Sequence, residues 1–462
     1  MRNRLPIDLD FWMILFSLTI VRLAYFLGYS RSPLFNLVCM LPFVLVVVKN
    51  LALLLKNQQI KKVNINMTVA FIFYLVLMGF AFLRSALSDQ YSFVATVGKY
   101  GLWLTLSVFS FLTFTRIDRP RTDLYLNAVF YGLILYIGIN VATYLMGFQN
   151  PEVLYYSARP ALMLKALHIS INRVTFPFSS GINTFGIIAA SGLVVSSIKM
   201  VHSIGRGEKI LGFLGALLCL GAILAVDSRG PLVFALFTIL LASIFPAKSV
   251  KLWRWIPLVA PLLPLIVIIV QKYLPFEVFI DLMRDQTTNQ IDLLSGRQQI
   301  WTVILDHFKV FDWIHLIGYG YHGQVLSGLS QNYAFLFSNF VFGETASAHN
   351  FALQTLLDFG YTGLLVVYWL ILSLSFRLAK LVEDNQKASL YKAAFFLLFF
   401  FVLVGSTEIV LTPDHYEIYV IFLFLCGFAL VPSPGKALQP VHDGEKAKLE
   451  GDTMRTPLNG TK

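Results

Sequence analysis

Charge is scarce in this 462-residue chain: Asp, Glu, Lys and Arg together make up 13% of it, about half the share usual in soluble globular proteins. With 57% apolar residues and a mean hydropathy of +0.71, that deficit excludes a string of soluble modules and points to a bilayer. Cysteine is almost missing. Cys39, Cys219 and Cys426 all lie within apolar runs, and an odd number without paired spacing excludes both a disulfide frame and a cysteine metal site. Acidic side chains are outnumbered, 25 against 36 basic ones, and none are paired at a spacing that suits a divalent metal. No internal repeat is evident. The first apolar run lacks a small-residue cleavage motif and reads as a signal anchor.

What the chain has in abundance is long apolar runs. A span needs about 20 apolar residues, and on that ruler roughly twelve runs qualify, near 11–28, 34–55, 67–83, 97–115, 124–147, 182–198, 210–227, 231–246, 255–271, 347–373, 393–406 and 416–432. The expected fold is all-α: a polytopic membrane domain over 1–433, followed by a disordered cytoplasmic tail over 434–462 rich in Lys, Glu, Gly, Pro and Thr. The net charge of +11 is spread over alternate short loops, among them Lys56, Lys61 and Lys62, then Arg116, Arg119 and Arg121, then Lys248, Lys251 and Arg254. That alternation places both termini in the cytoplasm. It argues against nucleic acid, which needs its cations on one face. Two long segments then fall outside, 148–181 and 272–346, and loops of that length usually carry function.

Ionisable groups collect on the same outer side: Asp227, Arg229, Arg297, His349 and Glu408. Charge at a membrane edge is costly and marks a site hypothesis. In "VDSRGP", 226–231, two apolar runs meet with almost no loop, and Gly230 and Pro231 suit a turn that restarts a helix. Arg229 is then either an ion-pair partner of Asp227, a snorkelling side chain, or a guanidinium aimed at phosphate. In "LLSGRQQIWTVILDHF", 293–308, Ser295 and Gln298 have capping-box spacing, and Trp301, Ile304, Leu305 and Phe308 form one apolar face. This predicts an amphipathic helix on the outer surface with Arg297 in its first turn, where free N–H groups add to an anion site. "GYGYHG", 318–323, reads as a flexible turn. In "SAHNFALQTLLDFG", 347–360, Ser347 or Thr345 is expected to cap a span, with His349 and Asn350 in its first turn. There the helix dipole disfavours imidazolium and leaves a neutral base. A cap or surface histidine is the bland alternative.

Read together, these stretches resemble the O-antigen ligase family and related bacterial polysaccharide polymerases. The matching residues are "SRG" at 228–230, "GRQQIW" at 296–301 with "GYG" at 318–320, "AHNFALQTLLDFGYTGLL" at 348–365 and "FSSGINTFG" at 178–186. The resemblance implies a metal-independent, inverting transfer of a glycan from undecaprenyl diphosphate to an acceptor hydroxyl at the periplasmic face of the bacterial inner membrane, with no cofactor. The acceptor would be lipid A–core for a ligase or a second lipid-linked glycan for a polymerase. By the same resemblance, Arg229 and Arg297 hold the diphosphate and His349 deprotonates or orients the acceptor hydroxyl. Ser228 and Asn350 support them, and Asp227 and Glu408 orient the arginines. Arg159, Lys165, His168 and Arg173 in the first outer segment are candidates for a second glycan in a polymerase. One polymerase type, however, carries an arginine followed eleven positions later by glycine, and Arg159, Arg173 and Arg297 do not. A flippase or transporter shares the twelve-span layout but favours repeat-related halves and midplane charges. Here the halves differ. Arg22 and Lys49, inside early apolar runs, have no role beyond pairing or snorkelling.

Overall fold

A computed structural model describes residues 8–26, 33–57, 63–116, 119–148, 160–166, 168–179, 181–246, 249–263, 266, 269, 296–337, 345–385 and 388–431. The tail 434–462, Ser295 and Arg159 therefore lie outside the described residues. The long helices are α1 (Leu9–Phe26), α2 (Pro33–Asn57), α3 (Ile65–Ala86), α4 (Phe93–Thr115), α5 (Arg119–Leu145), α6 (Ile182–His202), α7 (Arg206–Val226), α8 (Arg229–Ile244), α9 (Arg297–His307), α10 (Phe351–Asp384), α11 (Ser389–Val404) and α12 (Tyr416–Leu430). The described fold is all-α, with one isolated antiparallel bridge between Pro160 and Asn172.

Seven described helices are long and apolar enough to cross a membrane, and α8, α11 and α12 are shorter apolar helices. The protein is a multi-pass membrane protein. After a one-turn helix at Val250–Trp253, the apolar run expected at 255–271 is broken where it is described, into a one-turn helix at Ile256–Val259 and a 3-10 turn at Ala260–Leu262. Pro257 and Pro261 sit in the first turns of the last two pieces, where proline is tolerated but cannot continue a preceding helix.

Burial sorts the helices. α6, α11 and α12 are buried along nearly their whole length and pack against their neighbours at the centre, α11 on α6 and α12 on α4. Outer helices turn apolar side chains outward, including Leu45, Val48, Phe73, Phe80, Leu236 and Leu240, as a lipid-facing surface requires. The two early charges without a role are both paired. Arg22, 3% exposed, holds Glu417 of α12 at 2.6 Å, and Lys49 pairs with buried Asp10.

α10 is two helices end to end. Gly360 has φ 67° and ψ −167° and breaks the ladder. The segment 318–323 closes on that break, so it is a packed clasp rather than the flexible turn its glycines suggested. Tyr319 N donates to Leu357 O at 2.8 Å and Gly320 N to Asp358 O at 3.0 Å, satisfying carbonyls the break would orphan. Arg84 reaches over from α3 to Gly318 O at 2.6 Å. The two backbones touch, which is why both motifs are glycine-rich: a Cβ on Gly360 would stand 2.5 Å from Gly318 N, and one on Gly318 2.5 Å from Gly360 N. Gly360→Ala combines a left-handed φ with that overlap and should cost about 3 kcal/mol or more. Gly221→Ala, in α7 with open space around it, should stabilise by about 0.5–1 kcal/mol. Thermal unfolding of the two purified variants checks both, and equal shifts would refute the clasp.

Candidate active site

The site grows from the start of α10. Asn350 is the N-cap, its side-chain oxygen accepting from Leu353 N at 3.0 Å while its Nδ2 donates to Ser406 O at 2.9 Å. Phe351 N donates to Gly405 O at 2.8 Å, so the helix start is fastened to the end of α11. This corrects the expected register: neither Thr345 nor Ser347 is the cap, Asn350 is the cap itself, and His349 lies outside the helix with φ 45°. A non-glycine residue in that region is strained and must be held by its surroundings. The preceding peptide is gripped on both sides. Ala348 N donates to Gln354 Oε1 at 3.1 Å, and Trp301 Nε1 donates to Ala348 O at 3.1 Å.

Trp301 belongs to α9. Its apolar face, Ile300, Trp301, Ile304 and Phe308, is buried against Leu329, Tyr333, Ala348, Leu356 and Leu357. The expected amphipathic helix is present, but its apolar face is covered by protein, and Leu305, expected on that face, is 47% exposed. Gly296, at φ 81°, is the N-cap with no side-chain capping bond, and Arg297 is the first helical residue as expected. One small core thus carries both Arg297 and the strand of chain that presents His349.

Glu408, in the turn after α11, joins them. Its Oε1 accepts from Arg297 Nη2, and its Oε2 lies 3.1 Å from His349 Nδ1. Burial would push this carboxyl up, but the Arg297 guanidinium and the His349 contact outweigh it and hold it at about 2. An ionised carboxylate brings no proton, so Nδ1–H donates and Nε2 is left as the basic nitrogen. Arg297 and His349 are each 21% exposed, against 8% for Glu408. The carboxylate is therefore sealed behind two side chains that still reach open space. Arg297 Nε–H has no acceptor among the described residues. His349 stacks on Phe337, with ring centroids 5.8 Å apart.

Arg229 forms a second ionic group. Asp227 ends α7 in the left-handed region, φ 52°. It is fully buried, accepts from Met163 N at 3.0 Å, and sits 3.3 Å from Arg229 Nη2. The ion-pair reading of Arg229 is thus correct, although the guanidinium is 25% exposed. Ser228 is packed on Gly186 of α6 with no room for a Cβ between them. Two residues earlier, Thr184 Oγ1 lies 2.9 Å from His415 Nδ1. The first turns of α6 therefore stand between the Arg229 turn and the loop that carries Glu408. Of the residues expected at the site, Arg297, His349 and Glu408 meet directly, Asn350 anchors them, and Arg229, Asp227 and Ser228 form the separate group. Arg173, a candidate for a second glycan, is 5% exposed and donates to Val226 O at 3.0 Å, so it braces the Asp227 turn.

Sequence reasoning passed over Asp414, His415 and their partners Lys99, Tyr321 and His322. Tyr321 Oη donates to Asp414 Oδ1 at 2.6 Å, and Lys99 Nζ bonds the same hydroxyl. The available signal was "TPDHYE" at 412–417, in which Asp414 and His415 sit in the connection between two apolar runs and Glu417 in the first turn of the helix that follows.

Residues 214–368 match the family model described as O-Antigen ligase, a stretch that includes Asp227, Ser228, Arg229, Arg297, His349 and Asn350 but stops short of Glu408. No curated protein matches the chain at a significant level.

A pH test follows from Glu408. Its carboxyl falls from an ordinary 4.5 to about 2 on folding, so the native state stabilises the ionised form by roughly 3 kcal/mol. A depressed carboxylate gives its stabilisation above the unfolded value and loses it as pH falls through the folded one. Glu408→Gln should therefore lower thermal stability by a constant amount between pH 8 and about 5, and the gap should narrow only from about pH 4.5 toward 2. A gap already closed at pH 5 would show that Arg297 does not hold this carboxylate.

Proposed function

Starting from the O-antigen ligase domain that this membrane protein carries, we propose that it transfers a glycan from undecaprenyl diphosphate to an acceptor sugar hydroxyl, as an O-antigen ligase-type enzyme of cell-surface polysaccharide synthesis. The carrying observation is that Arg297 and His349 share one buried carboxylate, Glu408. In this reading the chain crosses the bacterial inner membrane about twelve times with both ends in the cytoplasm, as the alternation of basic loops supports, and the site faces the periplasm.

The chemistry follows from the geometry. Glu408 fixes the His349 tautomer through Nδ1, so Nε2 receives the acceptor proton as the hydroxyl attacks the anomeric carbon. The departing diphosphate gains negative charge as the anomeric carbon–oxygen bond breaks. Arg297 and Arg229, both still partly open, supply charge-assisted hydrogen bonds to it. Preorganised donors of this kind act through the transition state, and losing one typically costs about 100-fold or more. The lipid diphosphate is already a good leaving group, so no cofactor enters the scheme. A ligase acceptor, lipid A–core, is preferred over a second lipid-linked glycan because Arg173, one cation available for a second chain, is engaged inside the fold.

His349→Ala and Arg297→Ala in the native host should leave folded protein, cause undecaprenyl-linked glycan to accumulate, and lower transfer by about 100-fold or more. Lipid extracts and surface polymer read this out, and full surface polymer in a folded His349→Ala strain would overturn the assignment. Purified protein given lipid-linked glycan and each acceptor in turn separates the alternatives. Product on lipid A–core means ligase, longer lipid-linked chains mean polymerase, and a requirement for sealed vesicles means transport.

A further inference from the structure

The turn Gly405–His415 carries a second carboxylate six residues beyond Glu408. Asp414 gathers its protein partners on one oxygen: Tyr321 Oη donates to Oδ1 at 2.6 Å, and His322 Nδ1 lies 3.5 Å from the same atom. Oδ2 accepts no hydrogen bond among the described residues, and the side chain keeps 11% exposure. Beside it, His322 is 29% exposed and is stacked on Tyr91, centroids 5.4 Å apart and rings 24° from parallel. Tyr91 comes from the α3–α4 connection and is itself only half-buried. His322 has φ 63°, a strained conformation fixed by the clasp that closes on the α10 break. Strain of this kind in a non-glycine residue collects at ligand sites. Here it sets an imidazole beside a carboxylate and against the Tyr91 ring.

The electrostatic character differs from that of the arginine groups. Lys99 sits 4.4 Å over the Tyr321 ring, so its charge offsets that of Asp414 and the cluster carries no surplus cation. A phosphate gains nothing here and meets an open carboxylate oxygen. An uncharged sugar gains both a hydrogen-bond acceptor for a hydroxyl and a flat aromatic face for its C–H side.

We propose that Tyr91, His322 and Asp414 form a subsite for an uncharged pyranose of the acceptor glycan, with a sugar hydroxyl donating to Asp414 Oδ2 and the ring lying against the Tyr91–His322 pair. The proposal rests on the glycan-transfer reading, and the shared turn explains the placement: the acceptor is bound by the same short loop that fixes the base.

Binding, rather than turnover, tests it. Delipidated oligosaccharide released by mild acid from the host cells is titrated into full-length protein and followed by saturation-transfer NMR. Wild type and Gly221→Ala, whose added methyl meets open space away from the site, should bind it alike. Tyr91→Ala and Asp414→Asn should each weaken binding roughly tenfold, and Tyr91→Phe, which keeps the ring, should restore it. Thermal unfolding certifies that each variant is folded. Unchanged binding in folded Tyr91→Ala and Asp414→Asn, or no binding by wild type, overturns the subsite. Loss in Arg297→Ala alone moves the sugar to the arginine site and overturns it as well. Since no turnover is measured, these outcomes are separate from failure of the transfer reading, which the accumulation of lipid-linked glycan decides.

Discussion

A carboxylate removed from water must find cations or give up its charge, and Glu408 finds two partners 111 and 59 residues away in the chain. That requirement ties together three segments with no local reason to meet: the start of α9, the chain before α10 and the turn after α11. Each is fastened a second time by bonds that do not involve charge. Asn350 and Phe351 attach α10 to Ser406 and Gly405, and Trp301 attaches α9 to Ala348. The neutral bonds position the three ionisable groups, and the ionic bonds then fix their orientation. His349 can hold φ 45° because the peptide before it and the helix after it are both immobilised.

The break in α10 belongs to the same design. An unbroken helix would satisfy its own carbonyls and offer nothing to the outer chain. Gly360 frees the carbonyls of Leu357 and Asp358, and the clasp at 318–323 takes them. Asp358 Oδ1 also accepts from Gly323 N at 2.8 Å and from Gln354 Nε2 at 2.9 Å. Gln354 in turn accepts from Ala348 N. A continuous chain of hydrogen bonds therefore runs from the glycine break to the residue before His349. The aromatic pair at Tyr91 and His322 hangs from the other side of the same clasp. The break that Gly360 permits thus positions both the His349 segment and the Tyr91–His322 pair.

Much of this was legible in the sequence, and the parts that were not share a cause. Helices could be read because apolar runs of a given length have few other solutions in lipid. Arg229, Arg297 and His349 could be read because each sits in a short polar motif at a helix edge. The start of α10 was misplaced because Thr345, Ser347 and Asn350 are all competent caps within six residues, and only the reach of Asn350 to Ser406 selects among them. Pairings across the chain left no local trace: Arg22 and Glu417 are 395 residues apart, and Lys99 meets Tyr321 222 residues away. The glycines at 318–323 looked like freedom because a sequence does not show the backbone that presses against them. Asp414 was overlooked for the opposite reason, as its turn resembles an ordinary polar connection between spans.

Both arginines of the proposed site are already paired, Arg297 with Glu408 and Arg229 with Asp227, and this bears on how a diphosphate would be held. An unpaired guanidinium at the edge of an apolar bundle would carry a large desolvation cost whenever the substrate is absent. A carboxylate partner removes that cost and fixes the fork, but lowers the attraction for an anion. The compromise depends on how many donors the partner consumes. Glu408 takes Nη2 of Arg297, and the guanidinium side chain stays 21% exposed. Asp227 accepts from the Met163 N–H as well as from Nε and Nη2 of Arg229, which spreads its charge over several donors. Each arginine thus stays partly exposed while its position is settled. Under the proposed function, a site organised this way would bind a resting lipid diphosphate only modestly and respond most strongly when the leaving oxygen gains charge, which is where catalysis needs the interaction.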